Sequence, residues 1–487
     1  MAPGFSDIVE EARLSARALL DYGDSFFNPT VRLGVTGLSR AGKTVFITAL
    51  IHGLTRGGRF PVFEPYATGR IARARLAPQP DDAVPRFAYE SHVRTLIEER
   101  RWPHSTVDIS ELRLVIDYQR QNGADRTLTI DIVDYPGEWL LDLPLLNKSY
   151  EQWSAESLAL SREGPRQPLA APWHAHLATL QAEGHEDEQA ALTSARLFTD
   201  YLRACRDERF AMSLLPPGRF LMPGNLADTP ALTFAPLDVA IDGGAPDGSL
   251  WAMMRRRYEA YKDIVVRPFF RDHFARLDRQ IVLVDALSAF NAGPEALHDL
   301  EAALSGILDC FRIGRSTLLS NLFRPRIDRI LFAATKADHL HHTSHDRLEA
   351  VLRRAVAKAT ERAEVAGAAI DVVALAAVRA TREAIVTRGR EKLPSILGTP
   401  AAGEVANGET FDGATEVATF PGDLPADPEE LFKGDFRGLS SAPSEKADYR
   451  FLRFRPPLLE QQGTQAPALP HIRLDRALQF LIGDRLQ

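Results

Sequence analysis

The chain has 487 residues, of which 45% are hydrophobic and 25% are charged, and its formal net charge is -7. This length exceeds one ordinary domain, and the composition is typical of a globular protein with a large buried core. The mildly acidic balance gives no reason to expect general electrostatic affinity for nucleic acid or for an anionic membrane. Two cysteines, Cys205 and Cys310, are too few for a disulfide framework, so we expect two reduced thiols.

The N-terminal segment, residues 1–30, is predicted to form a helix. Apolar residues between Phe5 and Leu20 recur on one helical face and are interleaved with acidic residues. Because basic residues do not dominate the polar face, a helix docked on the protein is favoured over one lying on a membrane. The sequence contains no run of about eighteen apolar residues, so we expect no transmembrane segment and a cytoplasmic protein.

Residues 31–137 are predicted to form the first part of an α/β core. A buried strand leads into a glycine-rich loop and a helix, a helical insertion covers about 57–101, and two further strands follow. Asn122-Gly123 lies between these two strands and indicates a hairpin, so they should be antiparallel neighbours. In order, the elements are a strand at Val31–Thr36, helices at Lys43–Leu54 and Phe87–Arg100, and strands at Leu112–Asp117 and Leu128–Val133.

The rest of the chain alternates between core and added segments. Helical patterns fill 138–279, strands and helices alternate over 280–385, and 386–470 is a Pro/Gly-rich extension with short strands such as Tyr449–Phe454. The apolar stripe in 471–487 predicts a C-terminal helix that docks on the core. Strands of the second core part are expected at Gln280–Asp285, Arg329–Ala334 and Ala369–Leu375. The fold class is therefore α/β, with a mostly parallel sheet and one antiparallel strand.

The segment between the first strand and helix fits the pattern G-x-x-x-x-G-K-[ST], which is typical of a phosphate-binding loop. Lys43 is expected to contact the β- and γ-phosphates, and the Thr44 hydroxyl to bind Mg²⁺. The flanking strand and helix favour this interpretation over a glycine turn that only caps a helix. The residues expected to surround the phosphates are Gly37, Ser39, Arg40, Ala41, Gly42, Lys43, Thr44 and Val45.

A second motif, Asp134-Tyr135-Pro136-Gly137, directly follows the strand at Leu128–Val133. A carboxylate at the carboxyl end of a strand lies at the edge where α/β sheets bind ligands. Asp134 is therefore expected to hold Mg²⁺, commonly through water, and the Gly137 N–H to sense a γ-phosphate. Asp131 is the competing acid, but it stops short of that edge and faces the opposite side of the strand.

The third motif, Thr335-Lys336-Ala337-Asp338, follows the strand at Arg329–Ala334. The Asp338 carboxylate can accept hydrogen bonds from N1–H and the 2-amino group of guanine, which adenine does not offer in that arrangement. The stem of Lys336 can pack over the purine face. A P-loop ATPase or phosphotransferase remains the alternative.

These three motifs, in this order, resemble those of the Ras-like, translation-factor-related GTPases. The resemblance implies a Thr that closes on Mg²⁺ and the γ-phosphate, for which Thr106 is the candidate and Ser105 and Ser110 are rivals. It also implies a main-chain contact to the base after the last core strand, which falls at Ala377 and Val378.

Longer strings resemble the bacterial YcjX-like family and extend over essentially the whole chain. These strings are Gly37–Leu50, Asp134–Leu140, Ala377–Arg382 and His471–Leu478. The resemblance implies a Ras-like P-loop NTPase domain with a large helical insertion, which binds GTP or GDP and acts in stress responses. It further implies a membrane-bound partner at the inner membrane. The sequence does not name the protein effector, and it leaves open whether two copies form a homodimer.

Hydrolysis is where the sequence departs from ordinary GTPases. Glu138 follows Gly137 where small GTPases place a Gln, and an ionised carboxylate beside a γ-phosphate is repelled. Glu138 is either a catalytic group, with Lys43, Thr106 and Gly137, or only the first turn of a helix. Ser39 and Arg40 would crowd an arginine finger from a partner, and Arg40 either supplies charge in cis or is solvent-exposed. We therefore expect a slow GTPase, with a nucleotide-gated module of negligible hydrolysis as the alternative.

Four histidines near the third motif resemble a metal cluster, but without a matching cysteine a solvated loop is the favoured interpretation over zinc. These are His339, His341, His342 and His345.

Overall fold

The computed structural model describes most of the chain from residue 29 onward. The described residues are 29–38, 40–227, 229–240, 244–310, 327–365, 368–388, 390–406, 408–433, 436–437, 451–459 and 467–487. Three predictions lie outside them: the N-terminal helix, Ser39 of the glycine loop, and the first part of the strand expected at Tyr449–Phe454. The side chain of Cys310 also lies outside the described part, whereas Cys205 is a buried free thiol.

A central sheet of seven described strands forms the core, in the order β2-β3-β4-β1-β5-β6-β7. Parallel pairing joins β4, β1, β5, β6 and β7. Because β3 is antiparallel to both β2 and β4, it alone runs against the other described strands of this sheet. The strands are β1 Thr30–Gly37, β2 Ile71–Ala77, β3 Ser110–Gln119, β4 Asp125–Asp134, β5 Arg279–Val284, β6 Arg329–Ala334 and β7 Ala369–Ala374. The predicted mostly parallel sheet with one antiparallel strand is confirmed.

The hairpin between β3 and β4 is also confirmed. Its register pairs Gln119 with Asp125 near the turn and Ser110 with Asp134 at the far end. Gly123 in the turn has φ 86°, a left-handed conformation that glycine adopts without strain. The hairpin therefore places Asp134 at the last position of β4, beside the end of β1.

One strand was missed. The segment around 57–101, predicted to be helical, contains β2 at the edge of the sheet as well as two helices. The sequence of β2, Ile-Ala-Arg-Ala-Arg-Leu-Ala, has no apolar run, and most of its side chains are only half buried. An edge strand has a hydrogen-bonded neighbouring strand on one side only, here β3. Basic residues such as Arg73 and Arg75 disfavour pairing of its free side with another chain. Arg75 forms an ion pair with Asp117 of β3 at 2.5 Å.

Helices cover both faces of the sheet, and alternate residues of each strand pack against one face or the other. On one face lie α1, α3 and the C-terminal helix, and on the other lie α10, α11, α12 and the segment between β4 and β5. No helix in the described part is both long enough and apolar enough to cross a bilayer. The helices are α1 Lys43–Arg56, α2 Glu64–Ala67, α3 Tyr89–Ile97, α4 Tyr150–Ser161, α5 Arg166–Leu177, α6 Glu188–Arg206, α7 Gly218–Leu221, α8 Leu250–Tyr261, α9 Arg267–Asp272, α10 Ala286–Ala292, α11 Pro294–Cys310, α12 His345–Val365, α13 Glu429–Lys433 and α14 Leu474–Ile482.

The insertion between β4 and β5 starts with a 3-10 segment, Gly137–Asn147, and continues through α4 to α9. Its centre is aromatic: the ring of Trp153 stacks on Tyr258 with centroids 5.1 Å apart. Buried residues of the insertion and of the sheet belong to one continuous core. The insertion is therefore packed directly on the sheet.

The C-terminal extension begins earlier than predicted. β8 Arg382–Arg388 pairs with β9 Glu391–Gly398 in a hairpin, and β12 Val417–Thr419 joins β9, so the predicted boundary at 385/386 falls inside β8. Between them, β10 Val405–Ala406 pairs with β11 Glu409–Thr410. In place of the strand expected to end at Phe454, this residue forms an isolated bridge with Pro400.

The C-terminal helix α14 docks beneath β5 and β6 through a buried arginine. The side chain of Arg279, at the start of β5, donates to Asp484 and to the carbonyl of Leu481, both at 2.8 Å. It also donates to Asp328, just before β6, at 3.0 Å. The end of the chain therefore packs near the amino-terminal ends of β5 and β6, whereas the glycine loop lies at the carboxyl end of β1.

Candidate functional site

The glycine loop connects the carboxyl end of β1 with the first turn of α1. Two residues adopt left-handed backbone, Arg40 with φ 62° and Gly42 with φ 83°. Gly42 occupies the position before the helix, and its carbonyl accepts the N–H of Phe46 at 2.9 Å. The free N–H groups of the first helical turn and the positive end of the helix dipole therefore face the loop, which suits an anion.

The phosphate loop and the D-x-P-G motif touch at one carbonyl oxygen. The ammonium group of Lys43 donates to the carbonyl of Gly37 at 3.2 Å. A Cβ atom at position 137 would lie only 1.7 Å from the same oxygen, so glycine is the residue that fits there. Gly137 is thus held directly against the end of β1.

Three side chains expected to bind Mg²⁺ meet beside the start of α1. The hydroxyl oxygens of Thr44 and Thr106 are 3.3 Å apart, and the Thr106 hydroxyl donates to Asp134 Oδ2 at 2.5 Å. Of the rivals to Thr106, Ser105 is exposed and Ser110 starts β3. In the described part of the chain, neither rival hydroxyl bonds to Thr44 or Asp134.

Asp134 is fully buried, and burial raises its pKa to about 6, because Lys43 and the Thr106 hydroxyl offset the loss of hydration only in part. Its second oxygen, Oδ1, has no hydrogen-bond partner among the described residues. Two hydroxyls and a carboxylate with a spare oxygen are the hard oxygen donors that a divalent cation prefers. These residues therefore fit Mg²⁺. The competing acid, Asp131, instead forms a two-point ion pair with Arg113 at 2.7 and 2.8 Å.

The third motif faces the loop after β7. The backbone N–H of Ala380 donates to Asp338 Oδ2 at 2.7 Å, and the Thr381 hydroxyl donates to the Asp338 carbonyl at 2.5 Å. Asp338 Oδ1 has no hydrogen-bond partner in the described part of the chain, and the N–H groups of Ala377 and Val378 form no hydrogen bond there either. The two segments predicted to read a base are thus adjacent and retain unused polar groups.

Lys336 is fixed by a residue that sequence reasoning missed. It adopts φ 61°, and its ammonium group forms an ion pair with Asp285 Oδ2 at 2.5 Å. Asp285 directly follows β5, so the rule that ligand-binding carboxylates cluster at the carboxyl ends of strands could have identified it. Thr335 is anchored through its backbone N–H to the carbonyl of Val284 at 2.9 Å.

The insertion contacts both the phosphate loop and the D-x-P-G motif. Glu138 is buried, and its carboxylate lies 3.4 Å from the guanidinium of Arg206 at the end of α6. Arg40 is half exposed, and it also forms an ion pair with Glu208 at 2.9 Å. The alternative of simple solvent exposure did not include this ion pair. Arg206 and Glu208 lie about seventy residues from Glu138 in sequence, and no local pattern pointed to them.

The extension contacts the segment that carries Thr106. The indole N–H of Trp102 donates to the carbonyl of Phe454 at 2.7 Å, and the Arg100 side chain donates to the carbonyl of Pro456 at 3.2 Å. The loop that carries Thr106 is therefore bound at one end to the extension, and at Thr106 itself to Thr44 and Asp134.

The four histidines were expected to lie in a solvated loop. This expectation is wrong, because His339, His341 and His345 are buried. Exposed His342 lies 3.0 Å from Glu383 Oε2, and His341, His342 and Glu383 place possible ligand atoms within 4.8 Å of one another. No local sequence pattern connects Glu383 with these histidines.

Comparison with known proteins shows sequence similarity over almost the whole chain. The family model described as YcjX-like family, DUF463, matches residues 31–486. The chain is 36% identical over 481 residues to a protein of Escherichia coli (strain K12) named Ras-like GTPase YcjX, covering 94% of this chain and 96% of the relative. A protein of Shewanella oneidensis with the same name is 34% identical over 483 residues, covering 94% of this chain and 95% of the relative.

The contact at Gly37 predicts that Gly137→Ala destabilises the protein. The added methyl group must displace the Gly37 carbonyl, and such overpacking costs about 1–3 kcal/mol. Gly244→Ala is the matched control, because a Cβ there meets nothing within 4 Å. Urea unfolding of both variants measures the difference; equal stabilities would show that the loop and the motif are not in contact.

The buried carboxylate predicts that Asp134→Asn stabilises the protein when Mg²⁺ and nucleotide are absent. Above about pH 6 the aspartate is ionised in both states, and only the folded state bears the cost of burying the charge. The gain should therefore reach about 2–3 kcal/mol at pH 7.5 and vanish once the pH falls well below 3.8, where the carboxyl is protonated in both states. Unfolding curves across this pH range test it; a gain that does not depend on pH contradicts the assignment.

Proposed function

Because the chain belongs to the YcjX-like family, we propose that it is a Ras-like GTP-binding protein that requires Mg²⁺, hydrolyses GTP slowly and acts as a nucleotide-controlled switch. The observation that carries this proposal is the meeting of Thr44, Thr106 and Asp134 at the N-terminus of α1. A hydroxyl from the phosphate loop, a hydroxyl from a separate loop and a carboxylate from β4 converge there, although 90 residues separate the first from the last in sequence. A helix-capping glycine turn does not account for this convergence.

The phosphate-binding part consists of the loop from Gly37 to Val45. Main-chain N–H groups of the loop and the first turn of α1 bind the phosphates, and Lys43 provides a buried positive charge. Thr44, Thr106 and Asp134 hold Mg²⁺, which when bound neutralises charge on the β- and γ-phosphate oxygens. Lys43 currently bonds to Gly37, so it exchanges this carbonyl for phosphate oxygens when nucleotide binds.

The base-reading part selects guanine. Asp338 accepts N1–H and the 2-amino group of the base, and its unused Oδ1 supports this role. The stem of Lys336 covers one face of the purine while its ammonium group stays paired with Asp285. The N–H groups of Ala377 and Val378 lie on the facing loop and donate to the base. An adenine in this site leaves the Asp338 carboxylate unpaired, which is costly in a buried position.

Hydrolysis transfers the γ-phosphoryl group to water. The water oxygen forms a bond to the γ-phosphorus as the bond to the β,γ-bridging oxygen breaks, and the protons of water end on the released phosphate and solvent. Lys43 stabilises charge on the transferred group, Thr106 and the Gly137 N–H position it, and Glu138 orients the water. Glu138 stands where small GTPases place the glutamine that orients the attacking water, and this departure supports slow turnover.

Switching arises because Thr106 and Gly137 both respond to the γ-phosphate. Each lies on a segment that continues into another part of the protein: Thr106 toward the extension and Gly137 into the insertion. An ordered γ-phosphate contact can therefore change what these segments present to a protein effector. From the family resemblance we place this switch in bacterial stress physiology, with a cytoplasmic or peripheral membrane location and a membrane-bound partner.

Nucleotide competition tests the base assignment. Wild-type protein with Mg²⁺ should prefer GTP over ATP by at least about 100-fold, and Asp338→Asn should weaken GTP binding by a similar factor, because hydrogen bonds to a buried charge are lost. Asp423→Asn, at an exposed position, is the control and should bind as the wild type does. Equal affinity for ATP and GTP would support the ATPase or phosphotransferase alternative instead.

A second experiment tests the Mg²⁺ ligands. Thr106→Ala should weaken binding of a non-hydrolysable GTP analogue about 10-fold while leaving GDP binding unchanged, because this hydroxyl would help to hold Mg²⁺ only when a γ-phosphate is bound. Ser105→Ala, the exposed neighbour, should alter neither affinity. Titrations with and without Mg²⁺ measure both; an equal loss for GDP and the analogue contradicts a γ-phosphate response.

A further inference from the structure

The longest helix of the insertion, α6, ends beside the nucleotide site. Its last residue is Arg206, and Arg206 Nη1 lies 3.4 Å from Glu138 Oε1. The Glu138 side chain is 8% exposed and that of Arg206 is 30% exposed, so the pair lies at the boundary between the insertion and the site. A cation at the C-terminus of a helix is also favoured by the helix dipole.

The backbone around Glu138 is held by another part of the insertion, the short helix α7 and the residue that follows it. A Cβ at Gly218 would lie 1.8 Å from the Glu138 carbonyl oxygen, so α7 begins directly against this peptide. The Gly218 N–H donates to Asp142 at 2.6 Å, and the indole N–H of Trp139 donates to the Met222 carbonyl at 3.1 Å. The residue after Gly137 therefore has its main chain and its carboxylate fixed by different contacts.

A second ion pair keeps the end of α6 over the phosphate loop. Glu208, two residues beyond Arg206, pairs with Arg40 at 2.9 Å and with Arg453 of the extension at 2.8 Å. Arg40, Glu138, Arg206 and Glu208 line one cleft next to Leu38 of the loop. The charges in this cleft alternate in sign, and each glutamate has an arginine beside it.

We propose that Arg206 is a positioning residue for GTP cleavage, supplied by the insertion within the same chain, that holds the Glu138 carboxylate oriented toward the γ-phosphate. This inference rests on the proposed GTPase function. A carboxylate alone beside the γ-phosphate is repelled, whereas a carboxylate paired with a guanidinium presents a nearly neutral group with a fixed direction. A glutamine at position 138 has no charge to balance, so it does not need Arg206.

The dependence on the identity of residue 138 separates this role from a structural one. Arg206→Ala should lower the single-turnover rate of GTP cleavage about 10- to 100-fold, as expected when a reacting group loses its orientation. Arg206→Lys keeps the charge and should restore most of the rate. In a Glu138→Gln background, Arg206→Ala should change the rate by less than about 3-fold.

A variant of a neighbouring arginine provides the control for these rates. Arg203→Ala is the matched control, since this arginine lies on the same helix, is exposed and pairs with Asp200. Its single-turnover rate should equal that of the wild type.

The affinity for GTP, measured separately with a non-hydrolysable analogue, distinguishes failure of the proposed GTP-binding function from failure of the role proposed for Arg206. If the wild type does not bind guanine nucleotide, the proposed function itself is wrong. With binding intact, three results overturn the role of Arg206: a wild-type rate in Arg206→Ala, the same loss of rate in the Glu138→Gln background, or no measurable cleavage by the wild type.

Discussion

The carbonyl oxygen of Gly37 is the point on which the site depends. It ends β1, accepts a hydrogen bond from Lys43, and lies in contact with Gly137. The contact leaves no room for a side chain at position 137, so the phosphate loop and the D-x-P-G motif pack directly against each other. Glu138 and the insertion follow Gly137 in the chain and therefore begin at this contact.

Around this contact the protein keeps charges in places that disfavour folding. Asp134 is fully buried with its pKa raised to about 6, and one of its oxygens has no partner among the described residues. A purely structural site would replace such a group by a neutral one. Retaining a poorly compensated carboxylate beside two hydroxyls fits a site whose stability is completed by a bound cation, which couples ligand binding to the order of the Thr106 loop.

The motifs could be located from the sequence because each one is local. A strand, a loop and a helix in immediate succession place Lys43 and Thr44, and the hairpin at Asn122-Gly123 places Asp134 at the end of its strand. Strand β2 was missed because its half-buried, arginine-containing sequence carries no apolar pattern. The extension was placed too late because β8 continues directly from the loop after β7, without a linker composition to mark the boundary.

The sequence by itself determined the α/β core and the order of its motifs, and it predicted Gly37, Lys43, Thr44, Asp134 and Asp338 as site residues, since these depend on spacing along short segments. Only the tertiary structure decided that Thr106, rather than Ser105 or Ser110, meets Thr44 and Asp134. It also decided the partners of Glu138 and Arg40, namely Arg206 and Glu208. The physical reason is that these pairs join segments far apart in the chain, and their contact depends on how the insertion packs on the sheet, which no local pattern encodes.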